Sequence, residues 1–135
     1  MSKGRVLVVD DEADVRKSVR LILSRAGYDV VEAEDGEAGV RTIKRIDNPF
    51  FVLGAIICDL NMPKMNGMEA ITYFRSHFPH APVIVLSGEV TSERAGVLLV
   101  QGVSCILSKP MEQDTLLAAV KKVFDEGGWK DDIAT

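Results

Sequence analysis

Five polar side chains recur at the ends of short apolar runs. Asp10 and Asp11 follow Arg5-Val6-Leu7-Val8-Val9, and Asp59 follows Ala55-Ile56-Ile57-Cys58. Ser87 follows Val83-Ile84-Val85-Leu86, and Lys109 stands just after Ser104-Cys105-Ile106-Leu107. A lone aspartate in such a place most often caps the next turn, and a lone lysine is ordinarily a solvated surface group. An acidic pair such as Asp10-Asp11 is more often a helix cap with a first-turn charge. Brought together, however, three carboxylates repel and call for a cation among them. Oxygen ligands with room for several waters suit Mg²⁺, which rarely takes a cage made only of protein. A carboxylate beside a divalent cation, with an ammonium and a hydroxyl nearby, is equipped to accept a phosphoryl group. That transfer needs an in-line nucleophile and neutralisation of the equatorial oxygens. Asp59 is the candidate nucleophile. The cation, Lys109, and Ser87 with backbone N–H groups would each face one phosphoryl oxygen.

What would bring these residues together is a parallel sheet. Continuous apolar runs bounded by breakers are characteristic of strands buried on both faces. Between them the spacing predicts helices. The first carries Val15, Val19, Ile22 and Ala26 on one face and stops at Gly27; the second, after Asp35-Gly36, turns Val40, Ile43 and Ile46 inward. A third presents Ile71, Phe74 and Phe78, a fourth runs from about Thr91 to Gln101, and the last, near Gln113 to Glu126, buries Leu116, Leu117, Val120 and Phe124. A second strand is expected over Tyr28 to Ala33. Five strands alternating with five helices predict an α/β fold with a parallel sheet covered on both faces. Strand ends then share one edge, where open α/β sheets place their ligands.

At 135 residues the chain fits one domain, with 47% hydrophobic and 27% charged residues, ordinary for a globular protein. We expect the domain to span residues 1–128, with a short tail at 129–135. A net charge of −4 and no basic stripe weigh against direct nucleic-acid binding. No apolar run approaches membrane-spanning length and no signal-peptide pattern opens the chain, so a cytoplasmic location and no membrane contact are expected. Cys58 and Cys105 lack metal-ligand spacing and are expected as small core residues of central strands.

The motifs Val8-Val9-Asp10-Asp11-Glu12, Asp35-Gly36, Cys58-Asp59-Leu60-Asn61-Met62-Pro63, Gly67, Val85-Leu86-Ser87-Gly88 and Lys109-Pro110 stand in this order over nearly the whole chain. In that order they resemble the receiver domain of two-component response regulators, the chemotaxis regulators included. The resemblance implies a flavodoxin-like doubly wound sheet with strand order 2-1-3-4-5. It implies phosphorylation of Asp59 by a sensor histidine kinase or a phosphotransfer protein. It implies Mg²⁺ held by Asp11, Asp59 and the backbone carbonyl of Asn61, with Asp10 acting through water. It also implies a cis bond at Lys109-Pro110, and a protein that hydrolyses its own aspartyl phosphate without being a turnover enzyme.

Two departures matter. Where the family often has an aromatic residue three before the lysine, this chain has Ile106, which is stiff and offers no hydroxyl. The relay to the surface must then work differently, through the loop after Ser87 and the fourth helix. Val97-Leu98-Leu99-Val100 cover about 300° of helical arc, more than one buried face takes up. One or two of them should be exposed on the face made by the fourth helix, fifth strand and fifth helix, as a docking surface for a downstream protein or a second copy. Phe50-Phe51-Val52-Leu53 is a rival apolar patch.

The family resemblance also points to Asn61 and Glu89, two past the acceptor and two past Ser87, as residues that tune attack by water. A second functional class is the receiver half of a DNA-binding transcriptional regulator, for which Gly127-Gly128 would begin a linker. A third, a phosphohydrolase of the haloacid-dehalogenase type, wants an aspartate two after the nucleophile, where Asn61 stands. A flavin module of the same fold is disfavoured because acidic strand ends repel a phosphate.

Overall fold

The computed structural model describes residues 3–45, 53–60, 67–88 and 90–126. Five strands and five helices alternate strictly: β1 (Arg5–Val9), α1 (Ala13–Arg25), β2 (Asp29–Ala33), α2 (Gly36–Arg45), β3 (Leu53–Asp59), α3 (Gly67–His77), β4 (Val83–Ser87), α4 (Ser92–Val100), β5 (Cys105–Ser108) and α5 (Gln113–Asp125). The strands form one sheet in the order β2-β1-β3-β4-β5, with every neighbouring pair parallel. This is the flavodoxin-like fold expected from the sequence.

β1, β3 and β4 lie inside the sheet, and nearly all their residues are buried. That is why their apolar runs show no alternation. Successive residues still feed opposite faces. Leu7, Ile56, Cys58 and Val85 join Val40, Ile43, Ile71, Phe74 and Leu98 beneath α2, α3 and α4. Val6, Val8, Ala55, Ile57 and Leu86 pack with Val19, Leu23, Leu116, Val120 and Phe124 beneath α1 and α5.

The helix faces differ from the predicted ones in detail. In α1, Val19 and Leu23 are the buried pair, while Val15, Ile22 and Ala26 pack only at the margin. In α5, Val123 is buried and Leu117 is marginal. Phe78 likewise packs at the edge of its cluster. β2 starts at Asp29 rather than Tyr28, and β5 runs one residue later than predicted at each end. Because β5 is an edge strand, Cys105 is only half-buried, which corrects its expected place in a central strand. Ile46 and Phe50-Phe51-Val52 fall outside the described residues, as do Asn61, Glu89 and the tail from Gly127.

The termini of the elements follow simple chemistry. Gly27 has φ +101°, a conformation that suits glycine at a helix end. Thr91 caps α4 by accepting the Arg94 N–H at 3.1 Å, and Asp35 accepts the Ala38 N–H at 2.8 Å as α2 begins. The ring of Phe124 fills the space over Gly4 and Gly54, so a Cβ on either would overlap it. Gly54→Ala should therefore destabilise the fold by about 2 kcal/mol. Chemical denaturation checks this, and adding Phe124→Leu should recover part of the loss; an unchanged midpoint for Gly54→Ala would refute the overlap.

Candidate functional site

The carboxyl ends of the strands bring the predicted side chains to one rim. β1 ends at Val9, so Asp10 leaves the sheet there, and its backbone N–H donates to the Ala33 carbonyl of β2 at 3.2 Å. Asp59 is the last residue of β3. Ser87 ends β4, one residue past Leu86, the register partner of Asp59. Lys109 follows β5, and its N–H donates to the Ser87 carbonyl at 2.9 Å. The bond between Lys109 and Pro110 is cis.

The Lys109 ammonium is the hub. Its Nζ lies 3.2 Å from Asp10 Oδ2, 3.3 Å from Asp59 Oδ2 and 3.5 Å from Glu12 Oε1. Asp10, Asp59 and Ser87 are buried, while Asp11 is exposed. Carboxylate oxygens of Asp10, Asp11, Glu12 and Asp59 all lie within 4.8 Å of one another. Four acidic groups thus crowd together, three of them within 3.5 Å of one ammonium. Such a set of hard oxygens, partly open to solvent, fits a divalent cation of the Mg²⁺ kind. Sequence reasoning had assembled Asp10, Asp11, Asp59, Ser87 and Lys109 but not Glu12 as a member of the acidic group. Arg16 was also missed: one turn into α1, its guanidinium donates to the Asp10 carbonyl. The Asn61 carbonyl lies outside the described residues.

Electrostatics follow from this crowding. Burial pushes the Asp10 carboxyl above the usual aspartate range; the Glu12 N–H, which Asp10 Oδ1 accepts at 2.9 Å, works against that. The Asp59 carboxylate then raises it further, and Lys109 partly counters. For Lys109, burial pulls downward, but the carboxylates of Asp10 and Asp59 more than offset it, so the ammonium holds its proton more tightly than usual. Burial, with Asp59 and Asp10 nearby, also pushes the Cys58 thiol far up. Cys58 is therefore a neutral donor to the Asp59 carbonyl at 3.3 Å, and no nucleophile.

Asp10 carries a sign that can be tested. A carboxyl whose folded pKa is raised binds its proton better in the folded state. Its contribution is most stabilising below the unfolded value and is lost as pH rises through the folded value. At neutral pH without metal, ionised Asp10 should thus cost stability. Asp10→Asn should raise the melting temperature of the metal-free protein by a few degrees, about 1 kcal/mol. The gain should shrink at pH 4, and a variant less stable at pH 7.5 would contradict it.

α4 exposes more than expected. Leu98 is buried, but Val97, Leu99 and Val100 are 46%, 55% and 88% exposed, so three of the four apolar residues face out rather than one or two. Ile106 instead packs partly buried against the core beneath α2, α3 and α4. No helix among the described residues is long and apolar enough to cross a membrane.

Comparisons with known proteins agree with this geometry. A family model described as the response regulator receiver domain matches residues 6–121. The transcriptional regulatory protein GlrR of Escherichia coli is 31% identical over 138 residues, covering 98% of this chain and 30% of its own length. The chain thus spans under a third of that relative. Among solved structures, the chemotaxis protein CheY4 of Vibrio cholerae superposes with a TM-score of 0.79 at 31% identity, covering 89% of this chain and 98% of that one. The beryllofluoride-activated NtrC4 receiver domain dimer gives a TM-score of 0.80 at 30% identity, covering 90% and 97%.

Proposed function

The chain belongs to the response regulator receiver family, and from that premise we propose that it is a phosphorylation-driven signalling switch whose acceptor is Asp59. The observation carrying this reading is the Lys109 ammonium 3.3 Å from Asp59 Oδ2, beside a cluster of oxygen donors. The donor would be a phosphohistidine on a sensor kinase or phosphotransfer protein. An Asp59 oxygen attacks phosphorus, the phosphorus–nitrogen bond breaks, and its electron pair leaves on the imidazole. Asp11, Asp59 and the Asn61 carbonyl, with Asp10 acting through water, would hold Mg²⁺, which when bound would neutralise phosphoryl charge. Lys109 steadies a second oxygen, and Ser87 with neighbouring N–H groups takes the third.

We place the receiver at residues 1–128 with a tail at 129–135, in the cytoplasm. The chain modifies and then clears itself, with no turnover of an outside substrate. Output passes by protein contact through the α4-β5-α5 face, where Val97, Leu99 and Val100 offer apolar surface to a downstream protein or a second copy. The dimer recorded for the NtrC4 receiver makes a second copy a concrete option. A second reading, the receiver half of a DNA-binding regulator, draws support from GlrR, a transcriptional regulatory protein of greater length. In that reading DNA contact belongs to the other half.

Incubation with acetyl phosphate and Mg²⁺ tests the proposal: intact mass should rise by one phosphoryl group, and chelation should prevent it. No mass gain under any metal would refute it. In the family the positions of Asn61 and Glu89 tune attack by water, and both residues are small or polar enough to admit and orient one, so the label should be short-lived, suited to rapid signalling. A half-life of many hours in the purified protein with Mg²⁺ would contradict that.

A further inference from the structure

The opposite end of the sheet holds a cavity of about 320 Å³, lined by the end of α3, the loop that leads into β4, the start of β5, and the last turns of α5. It lies at the amino ends of the strands whose carboxyl ends carry Ser87 and Lys109, about 13 Å away along β4. Its wall includes Cys105, Ala119 and Val123, which are apolar or weakly polar. Its charged residues are Arg75, Lys122 and Glu126. Arg75 Nη1 donates to the Gly102 carbonyl at 3.2 Å, which anchors the guanidinium at the edge while most of its donors remain.

We propose that this cavity binds a small amphipathic monoanion, a carboxylate on an apolar body. The volume is at the lower end of small-molecule sites, and the wall is mixed, with apolar Cys105, Ala119 and Val123 set against polar Arg75, Ser104 and Lys122, which suits a ligand that is itself part apolar and part charged. Two fixed cations against one fixed carboxylate leave an excess of one positive charge, which a monoanion balances. A planar carboxylate suits the fork of Arg75, with Lys122 as a second point charge. The site is separate from the acceptor rim, so it stands whether or not Asp59 is phosphorylated.

Cys105 lines the cavity and Cys58 is fully buried, so alkylation reports on the site. The probe is benzoate, with benzyl alcohol and inorganic phosphate as arms lacking the charge or the apolar body. Benzoate should slow iodoacetamide modification of Cys105 at least about fivefold, saturating in the millimolar range expected of so small a ligand. Benzyl alcohol and phosphate should each protect less than twofold. Arg75→Ala with Lys122→Gln should abolish protection while leaving the melting curve intact, since both side chains are exposed. Amide shifts of Ser104 and Val123 on benzoate titration give a readout independent of the thiol. Absence of saturable protection and of shifts, equal protection by either control arm, or protection persisting in the double variant would each overturn the assignment.

Discussion

Replacing Asp59 with asparagine is expected to abolish phosphoryl incorporation outright. Among the acidic groups at the rim, Asp10 and Asp59 are the buried ones, and both touch the Lys109 ammonium. Asp10 is unsuited to attack because both its oxygens are engaged, Oδ1 by the Glu12 N–H at 2.9 Å and Oδ2 by the Lys109 ammonium at 3.2 Å. Asp11 and Glu12 are exposed and precede α1, with Glu12 as its N-cap residue. An amide at 59 keeps the shape of the rim and removes the nucleophilic oxygen, so folding should persist while chemistry stops. Intact mass after acetyl phosphate and Mg²⁺ should show a singly labelled wild type and an unlabelled variant, with overlapping circular dichroism. A variant labelled at the wild-type rate would move the acceptor elsewhere.

The second large effect is expected at Lys109. Its ammonium spans three carboxylates at 3.2–3.5 Å, which gives it two separable roles. It holds buried Asp10 and Asp59 together in the metal-free protein, and it is placed to meet charge on an incoming phosphoryl group. Lys109→Ala should slow labelling about 100-fold, the scale of losing one preorganised charge at a reacting centre. The metal-free variant should also lose about 3 kcal/mol of stability, because two buried carboxylates are left facing each other. Mg²⁺ should restore much of that stability and little of the rate. A variant restored in both by metal alone would reduce Lys109 to a structural cation.

Much of this was legible in the sequence, for a definite reason. Central parallel strands are buried on both faces, so β1, β3 and β4 stand out as apolar runs, and the residues ending them share a rim by topology alone. Helix faces were less legible. Ile22 and Leu23 are adjacent and both apolar, and only the angle at which α1 meets the sheet decides that Leu23 goes under. Cys105 was misplaced because an apolar run does not say whether its strand lies at an edge. Glu12 was overlooked as a site group because an acidic residue at a helix start already has an explanation in the helix dipole. α4 was harder still: a run of four apolar residues bounds the exposed number without fixing it. The basal cavity left no sequence signal, since Arg75, Cys105 and Lys122 belong to three elements and no motif.

The most direct measurement locates the phosphoryl group itself. Borohydride reduces an acyl phosphate to an alcohol, turning a phosphorylated aspartate into homoserine, which peptide mass mapping identifies by position. After acetyl phosphate and Mg²⁺, homoserine should appear at position 59 and nowhere else. Homoserine at position 10 or 11, or labelled protein with no homoserine at all, would contradict the account.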